Sequence, residues 1–129
     1  MTRMVLWLSA GMVLLAGAGQ VLAHHSFTST YDSSQRVEIE GLVKEVVWRN
    51  PHSFVRLDVT EKDGAVRTWA LEWSSVSALA QSQLSRTTLR PGDRLLVTGE
   101  PAREAASPRL LIVSMKRPSD GWSWQGRVD

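Results

Sequence analysis

The centre of the chain carries two short runs of alternating apolar and polar residues, separated by a tight-turn dipeptide. Residues 53–60 place three aliphatic side chains on one face, and residues 66–73 repeat the pattern with tryptophan and leucine. Asp63 and Gly64, between the two runs, form a dipeptide that favours a hairpin turn. Because alternation with a period of two is typical of half-buried strands, the sequence predicts a β-hairpin here.

Further segments on both sides of the hairpin complete the predicted fold. We predict strands at residues 37–48, 94–99 and 109–116, with a short helix that begins at Ser74 or Ser75 and ends near Arg86. Gly41 interrupts the first strand, where a glycine often marks a bulge or bend. This order predicts a mainly β chain, an OB-fold-like five-stranded Greek-key barrel with one short helix between strands 3 and 4. An open sheet or sandwich with one helix is the alternative.

The N-terminal segment has the layout of a secretion signal. One arginine precedes an apolar stretch, and Val21 and Ala23 occupy the small-residue positions before a cleavage site. We predict a signal peptide at residues 1–23, which leaves His24 as the first mature residue, and export to the periplasm. An uncleaved membrane anchor is the alternative, but the apolar run is about 14 residues and a spanning helix needs about 20. Residues 16–18 offer a second possible cleavage site.

The remaining residues, 24–129, are long enough for one domain with a modest core. We predict a single OB-like barrel with an N-terminal arm at residues 24–36 and a C-terminal tail at residues 118–129. The sequence has no cysteine, which excludes disulfides and thiolate metal ligands. Its 15 basic and 13 acidic residues are interspersed, so no basic patch favours nucleic acid as a partner.

The chain contains three histidines, and two of them, His24 and His25, follow the predicted cleavage site. An N-terminal histidine can chelate one metal ion through its α-amine and its ring Nδ1. A second imidazole would complete a set of three nitrogens, which suits Cu(II) best among divalent metals. His52, in the turn after the first strand, could supply that ring, with His25 as a reserve ligand. Ordinary polar roles for all three histidines are the alternative.

A metal-free function is the second hypothesis. Trp48, Trp122 and Trp124 could anchor a peptide, an unknown periplasmic protein or a small ligand on the barrel surface. No carboxylate stands at a known catalytic spacing from a serine or histidine, and neither a nucleophile elbow nor a phosphate loop is present. We therefore expect no enzyme, and no membrane anchor after signal cleavage.

Several motifs along the chain resemble the bacterial family DUF6152. They are His24-His25-Ser26-Phe27, Gly41-x-Val43, Trp48-x-Asn50-Pro51-His52, Trp69-x-Leu71-Glu72, and Leu89-x-Pro91-Gly92-Asp93 with Val97-x-Gly99. The resemblance implies an exported, periplasmic domain and supplies no catalytic residues. The chain departs from the family pattern after Glu72, where the helix lacks the usual Gly-Ser-Pro-Asn-like start.

Overall fold

The structure is a computed structural model that describes residues 27–128. Within that range the chain is mainly β, with six strands and only short helices. The strands are β1 (Val37–Val47), β2 (Phe54–Thr60), β3 (Val66–Glu72), β4 (Arg94–Pro101), β5 (Arg109–Arg117) and β6 (Trp122–Gln125). The helix Val76–Gln81 lies between β3 and β4, as the sequence predicts. No helix in the described range is long and apolar enough to cross a membrane.

Five of the strands close into a barrel. The pairing order runs β3-β2-β1-β4-β5, and a parallel contact between β3 and β5 closes the ring. All other pairs are antiparallel. This arrangement confirms the predicted OB-fold barrel and excludes the open sheet. Closure leaves the ring strands with few unpaired edges, which a small domain without disulfides would otherwise expose.

Strand β1 pairs with two neighbouring strands, and its backbone lies close to β2 at Gly41. The first half of β1 pairs with β4 and the second half with β2, with Leu42 in both registers. A Cβ atom on Gly41 would lie 2.4 Å from the carbonyl oxygen of Asp58, so a side chain here would collide with backbone. The sequence predicts a bulge or bend at Gly41. The observed register shift lies slightly later in the strand, between Val43 and Glu45.

The barrel interior is filled by aliphatic side chains, one tryptophan and one methionine. The buried cluster consists of Val43, Val55, Leu57, Val59, Leu71, Trp73, Leu79, Leu89, Leu95, Val97, Leu110, Ile112 and Met115. The members on β2 and β4 alternate along their strands, as a period of two requires. Leu79 from the helix and Leu89 from the following loop cover one end of the barrel.

Two elements differ from the sequence prediction. The helix begins after its cap Ser75 but ends at Gln81, because Gln83 adopts a φ of 62°, a left-handed conformation that stops a helix. The predicted tail contains a sixth strand outside the ring. The contact between β3 and β5 ends at Leu111, so the later part of β5 has an open edge, and β6 pairs with it there.

Candidate functional site

His52 lies in the loop between β1 and β2, beside the fully buried Ser53. Ser53 Oγ donates to the Arg49 carbonyl at 3.2 Å and accepts from the Arg49 amide at 3.3 Å. The Ser53 amide donates to the Ser74 carbonyl at 3.1 Å, and the Trp73 amide donates to the Ser53 carbonyl at 2.8 Å. The loop is thereby tied to its own start and to the end of β3, which sets the position of His52.

Glu72, the last residue of β3, contacts three other side chains through its carboxylate. Its Oε1 lies 3.0 Å from Nδ1 of His52. Its Oε2 accepts a hydrogen bond from the hydroxyl of Tyr31 and lies 3.3 Å from Nη2 of Arg109. The three side chains come from the β1–β2 loop, the arm and β5, so one carboxylate joins three separate segments.

Glu72 is buried although it lies on the outer wall of the barrel. Its neighbours Leu71 and Trp73 fill the core, and successive strand residues point to opposite faces. Only 7% of Glu72 is exposed, because the arm covers this part of the wall. The covering residue is Tyr31, which is itself 1% exposed. A buried carboxylate is tolerated where its oxygens are hydrogen-bonded and a cation is near, and both conditions hold here.

The arm is fixed to the loop between β4 and β5. Residues 27–30 form one helical turn, after which Tyr31 makes an isolated β-bridge to this loop. Arg103 of the loop donates to the arm twice. Its amide donates to the Thr30 carbonyl at 2.9 Å and its Nε to the Thr28 carbonyl at 2.7 Å. These contacts hold Tyr31 over β3 independently of its own hydroxyl.

The docked arm also reaches His52 directly. The ring of Phe27 lies 4.9 Å from the imidazole of His52, with the two planes tilted by 48°. The start of the described chain is therefore at the His52 end of the barrel wall. The predicted ligands His24 and His25 lie outside the described residues. Within residues 27–128, no group of three or more histidine, cysteine or acidic side chains is arranged to hold a metal ion.

The contact with Glu72 fixes which nitrogen of a neutral His52 ring carries the proton. An ionised carboxylate has no hydrogen to donate, so the Nδ1–H of His52 is the donor in the 3.0 Å contact. In the neutral imidazole the lone pair then resides on Nε2. The contact directs Nδ1 toward the Glu72 carboxylate and makes Nε2 the basic nitrogen of the neutral ring.

The phenol of Tyr31 is held in its neutral form. Burial raises the pKa of Tyr31 well above its ordinary value of 10.0. The hydrogen bond to Glu72 and the negative charge of that carboxylate raise the pKa further, while Arg109 opposes them. A raised pKa in the folded state means that the associated stability is present below pH of about 10 and is lost as the pH rises toward the folded pKa.

We expect Tyr31 to remain protonated at a pH where a tyrosine in water is half ionised. Tyr31 is the only tyrosine in the chain, so the ultraviolet absorbance of tyrosinate reports on it alone. In the folded protein, little tyrosinate should form at pH of about 10, whereas the protein in denaturant should titrate near that value. A folded-state midpoint near 10 would contradict the buried hydrogen bond to Glu72.

Two arginines flank the ring of Phe54, the residue opposite Glu72 in the β2–β3 register. The guanidinium of Arg49 lies 4.9 Å from the Phe54 ring centre, and that of Arg109 lies 6.0 Å from it. Such contacts are typical cation–π interactions. The outer wall near His52 therefore carries positive charge, and Glu72 is the carboxylate bound within it.

The tryptophans proposed as partner anchors are packed against the barrel. Trp73 is fully buried and contacts Trp48 at 5.9 Å and Trp124 at 5.5 Å between ring centres. Trp122 packs partly against the core and lies beneath the Arg117 guanidinium at 5.4 Å. Trp48, Trp122 and Trp124 are partly buried and pack against the core cluster.

The sequence predicts a role for His52 but does not associate it with Tyr31, Glu72 or Arg109. A signal for Glu72 was present, because the hairpin turn sets Thr60 opposite Val66 and therefore Phe54 opposite Glu72. Two residues before Phe54, His52 then falls near the end of β3. No comparable signal exists for the arm, since its docking depends on tertiary contacts.

Comparison with known proteins adds a family but no activity. No curated protein matches the chain. A family model described as a family of unknown function, DUF6152, matches residues 12–110, most of the sequence. The matched range includes the His52 loop, Tyr31, Glu72 and Arg109. The chain therefore belongs to the DUF6152 family.

Proposed function

We propose that the protein is an exported, periplasmic metal-binding module that holds one copper ion for carriage, storage or tolerance. Removal of a signal peptide at residues 1–23 would create the α-amine of His24. That amine and the His24 ring would provide two nitrogens, the ring of His52 would provide the third, and His25 would be a reserve ligand. The proposal gives the protein no catalytic role.

The contact between His52 and Glu72 is the observation that carries this proposal. Histidines that bind metals almost always donate their second ring N–H to a carboxylate, a carbonyl or water. His52 has this arrangement, with Nδ1 at 3.0 Å from Glu72 Oε1. The imidazole is 21% exposed, so part of the ring is open to solvent.

The position of the arm supports the second part of the proposal. Phe27 contacts His52, and His24 precedes Phe27 by three residues. Three residues of extended chain span about 10 Å at most. Covalent geometry therefore permits the amine and ring of His24 to reach the metal that His52 would bind.

The choice of copper follows from the available donors. The sequence contains no cysteine, and the proposed set consists of nitrogens alone. Such sets with a square-planar tendency favour Cu(II) over Zn²⁺, Mg²⁺ or Ca²⁺. Within residues 27–128 no group of three or more histidine, cysteine or acidic side chains could hold a metal ion, and the proposal places two of its three nitrogens at the N-terminus.

A Cu(II) titration of two forms of the protein tests this dependence. One form begins at His24, and the other carries a single additional residue before it, which removes the α-amine from His24. We expect the extended form to bind Cu(II) on the order of 100-fold more weakly. Loss of an outer contact to a metal ligand typically lowers metal affinity about 10- to 100-fold, and the loss of the α-amine should reach the upper end of that range. Equal affinity in the two forms would eliminate the N-terminal chelate.

The alternative is a metal-free module that binds a peptide, a partner protein or a small ligand. It would use Trp48, Trp122 and Trp124, but these rings pack on the barrel. The same titration separates the two functions, because the metal-free module predicts no specific Cu(II) binding in either form.

A further inference from the structure

We infer that Tyr31 is a positioning residue for His52 and acts through Glu72. Its hydroxyl fixes the Glu72 carboxylate, and the carboxylate in turn fixes the proton-bearing nitrogen of His52. The consequence for copper rests on the proposed function, but the effect on the His52 ring does not depend on any metal.

The geometry gives each oxygen of Glu72 a separate task. Oε1 contacts His52 Nδ1, while Oε2 accepts from the Tyr31 hydroxyl. A carboxylate is planar, so a hydrogen bond that fixes one oxygen also fixes the direction of the other. Tyr31 and His52 do not need to touch for one to orient the other.

Arg109 cannot replace Tyr31 in this role. Its Nη2 lies 3.3 Å from Oε2 and its side chain is 40% exposed. Long side chains paired near the surface contribute little, since water and salt compete for the charge. Tyr31 is 1% exposed and is held by the docked arm, so its hydroxyl has little freedom to leave. The buried hydroxyl is therefore the main constraint on Glu72.

This chain of contacts couples the arm to the state of the imidazole. Tyr31 belongs to the arm, and Arg103 fixes the segment before it. When the arm is docked, the neutral His52 ring carries its proton on Nδ1 and its lone pair on Nε2. When the arm leaves, Glu72 loses its buried partner and the ring loses its preference. The arm would thus bring the N-terminal nitrogens and prepare His52 in a single docking event.

The test compares the wild-type protein with Tyr31→Phe and with Thr68→Val, all without metal. Tyr31→Phe removes only the hydroxyl and retains the buried ring. Thr68→Val is a matched control, because Thr68 also donates a hydroxyl to a carboxylate, that of Asp58, and lies about 13 Å before Glu72 in β3. Nitrogen-15 NMR of His52 distinguishes the two neutral tautomers. We expect the Nδ1–H form to predominate in the wild type and in Thr68→Val, and to decrease in Tyr31→Phe. An unchanged tautomer in Tyr31→Phe would overturn the inference.

A second variant establishes whether Tyr31 acts through Glu72. Glu72→Gln retains the shape of the side chain but removes its charge. If the route is correct, adding Tyr31→Phe to Glu72→Gln should cause no further tautomer change, since coupled residues are not additive. A full additional change in the double variant would show a separate route and contradict the inference.

Copper affinity then separates this inference from the proposed function. We expect Tyr31→Phe to weaken Cu(II) binding about tenfold, the lower end for loss of an outer contact to a metal ligand. If the wild type binds no Cu(II), the proposed function fails while the tautomer comparison still decides the role of Tyr31. If the wild type and Tyr31→Phe bind Cu(II) equally, the consequence of Tyr31 for copper binding is overturned and the copper proposal stands.

Discussion

Replacing His52 by alanine should lower the affinity for Cu(II) about 100-fold or more while the barrel remains folded. The substitution removes the one ring nitrogen that the described part of the chain contributes to the proposed site. The loss should match or exceed that caused by removing an outer contact, which is about 10- to 100-fold. A competition titration against a chelator of known affinity measures it.

The fold should tolerate this substitution because His52 is outside the core. The side chain is partly exposed on the outer wall, and Glu72 retains Tyr31 and Arg109 as partners. Thermal unfolding should therefore show a loss of only about 1 kcal/mol, which is common for single substitutions. Asn50→Ala is the matched control, since Asn50 is an exposed residue of the same loop. Wild-type affinity in His52→Ala would remove His52 from the site.

Replacing Trp73 by alanine should cause the largest loss of stability among single substitutions in the barrel, about 4 kcal/mol. Trp73 is fully buried and connects the rings of Trp48 and Trp124. The free energy lost comes from packing, because its Nε1 has no hydrogen-bond partner among the described residues. The remaining cavity would be lined by groups from opposite ends of the sequence, which limits how far it can collapse.

Denaturant unfolding followed by circular dichroism measures this effect. Trp122→Ala is the control, because Trp122 is only partly buried and should cost less than half as much. A loss below about 1 kcal/mol for Trp73→Ala would mean that the rings of Trp48, Trp73 and Trp124 are not tightly packed together.

The barrel was predictable because its signals are local. Alternation in β2 and β3 and the Asp63-Gly64 turn define a hairpin whose register needs no tertiary information. Gly41 marks the place where β1 passes close to Asp58, and its lack of a side chain is visible in the sequence. Closure of the barrel was less predictable, because it depends on the pairing of β3 with β5, and an open sheet was the alternative.

The sixth strand escaped prediction for a physical reason. Four residues are too few for periodicity to distinguish a strand from a loop. Trp122–Gln125 becomes a strand only because the later part of β5 presents an unpaired edge, which is a property of the assembled barrel.

The site was only half predictable. The position of His52 after Asn50-Pro51 is a sequence feature, although the cis peptide bond between Asn50 and Pro51 is not. Alternation places Glu72 on the outer wall, where a glutamate is normally exposed to water. Its burial results from the arm, whose docking depends on contacts with a loop more than 70 residues away. Local patterns contain no information about such contacts.

On the outer wall of the barrel, the buried carboxylate of Glu72 contacts side chains from an arm, a loop and a strand. Glu72 holds His52, Tyr31 and Arg109 at a single point. That sharing links the orientation of the imidazole to the docking of the segment that follows His24. The proposed function would use this link to connect removal of the signal peptide with metal binding.

The metal content of the processed protein, purified from the periplasm of copper-supplied cells, tests the central claim most directly. Elemental analysis and mass spectrometry of the same sample give the metal per chain and the N-terminal residue. The account predicts about one copper per chain that begins at His24, and little copper in His52→Ala prepared in parallel. Protein that begins at His24 and contains no copper, or as much copper in His52→Ala, would contradict it.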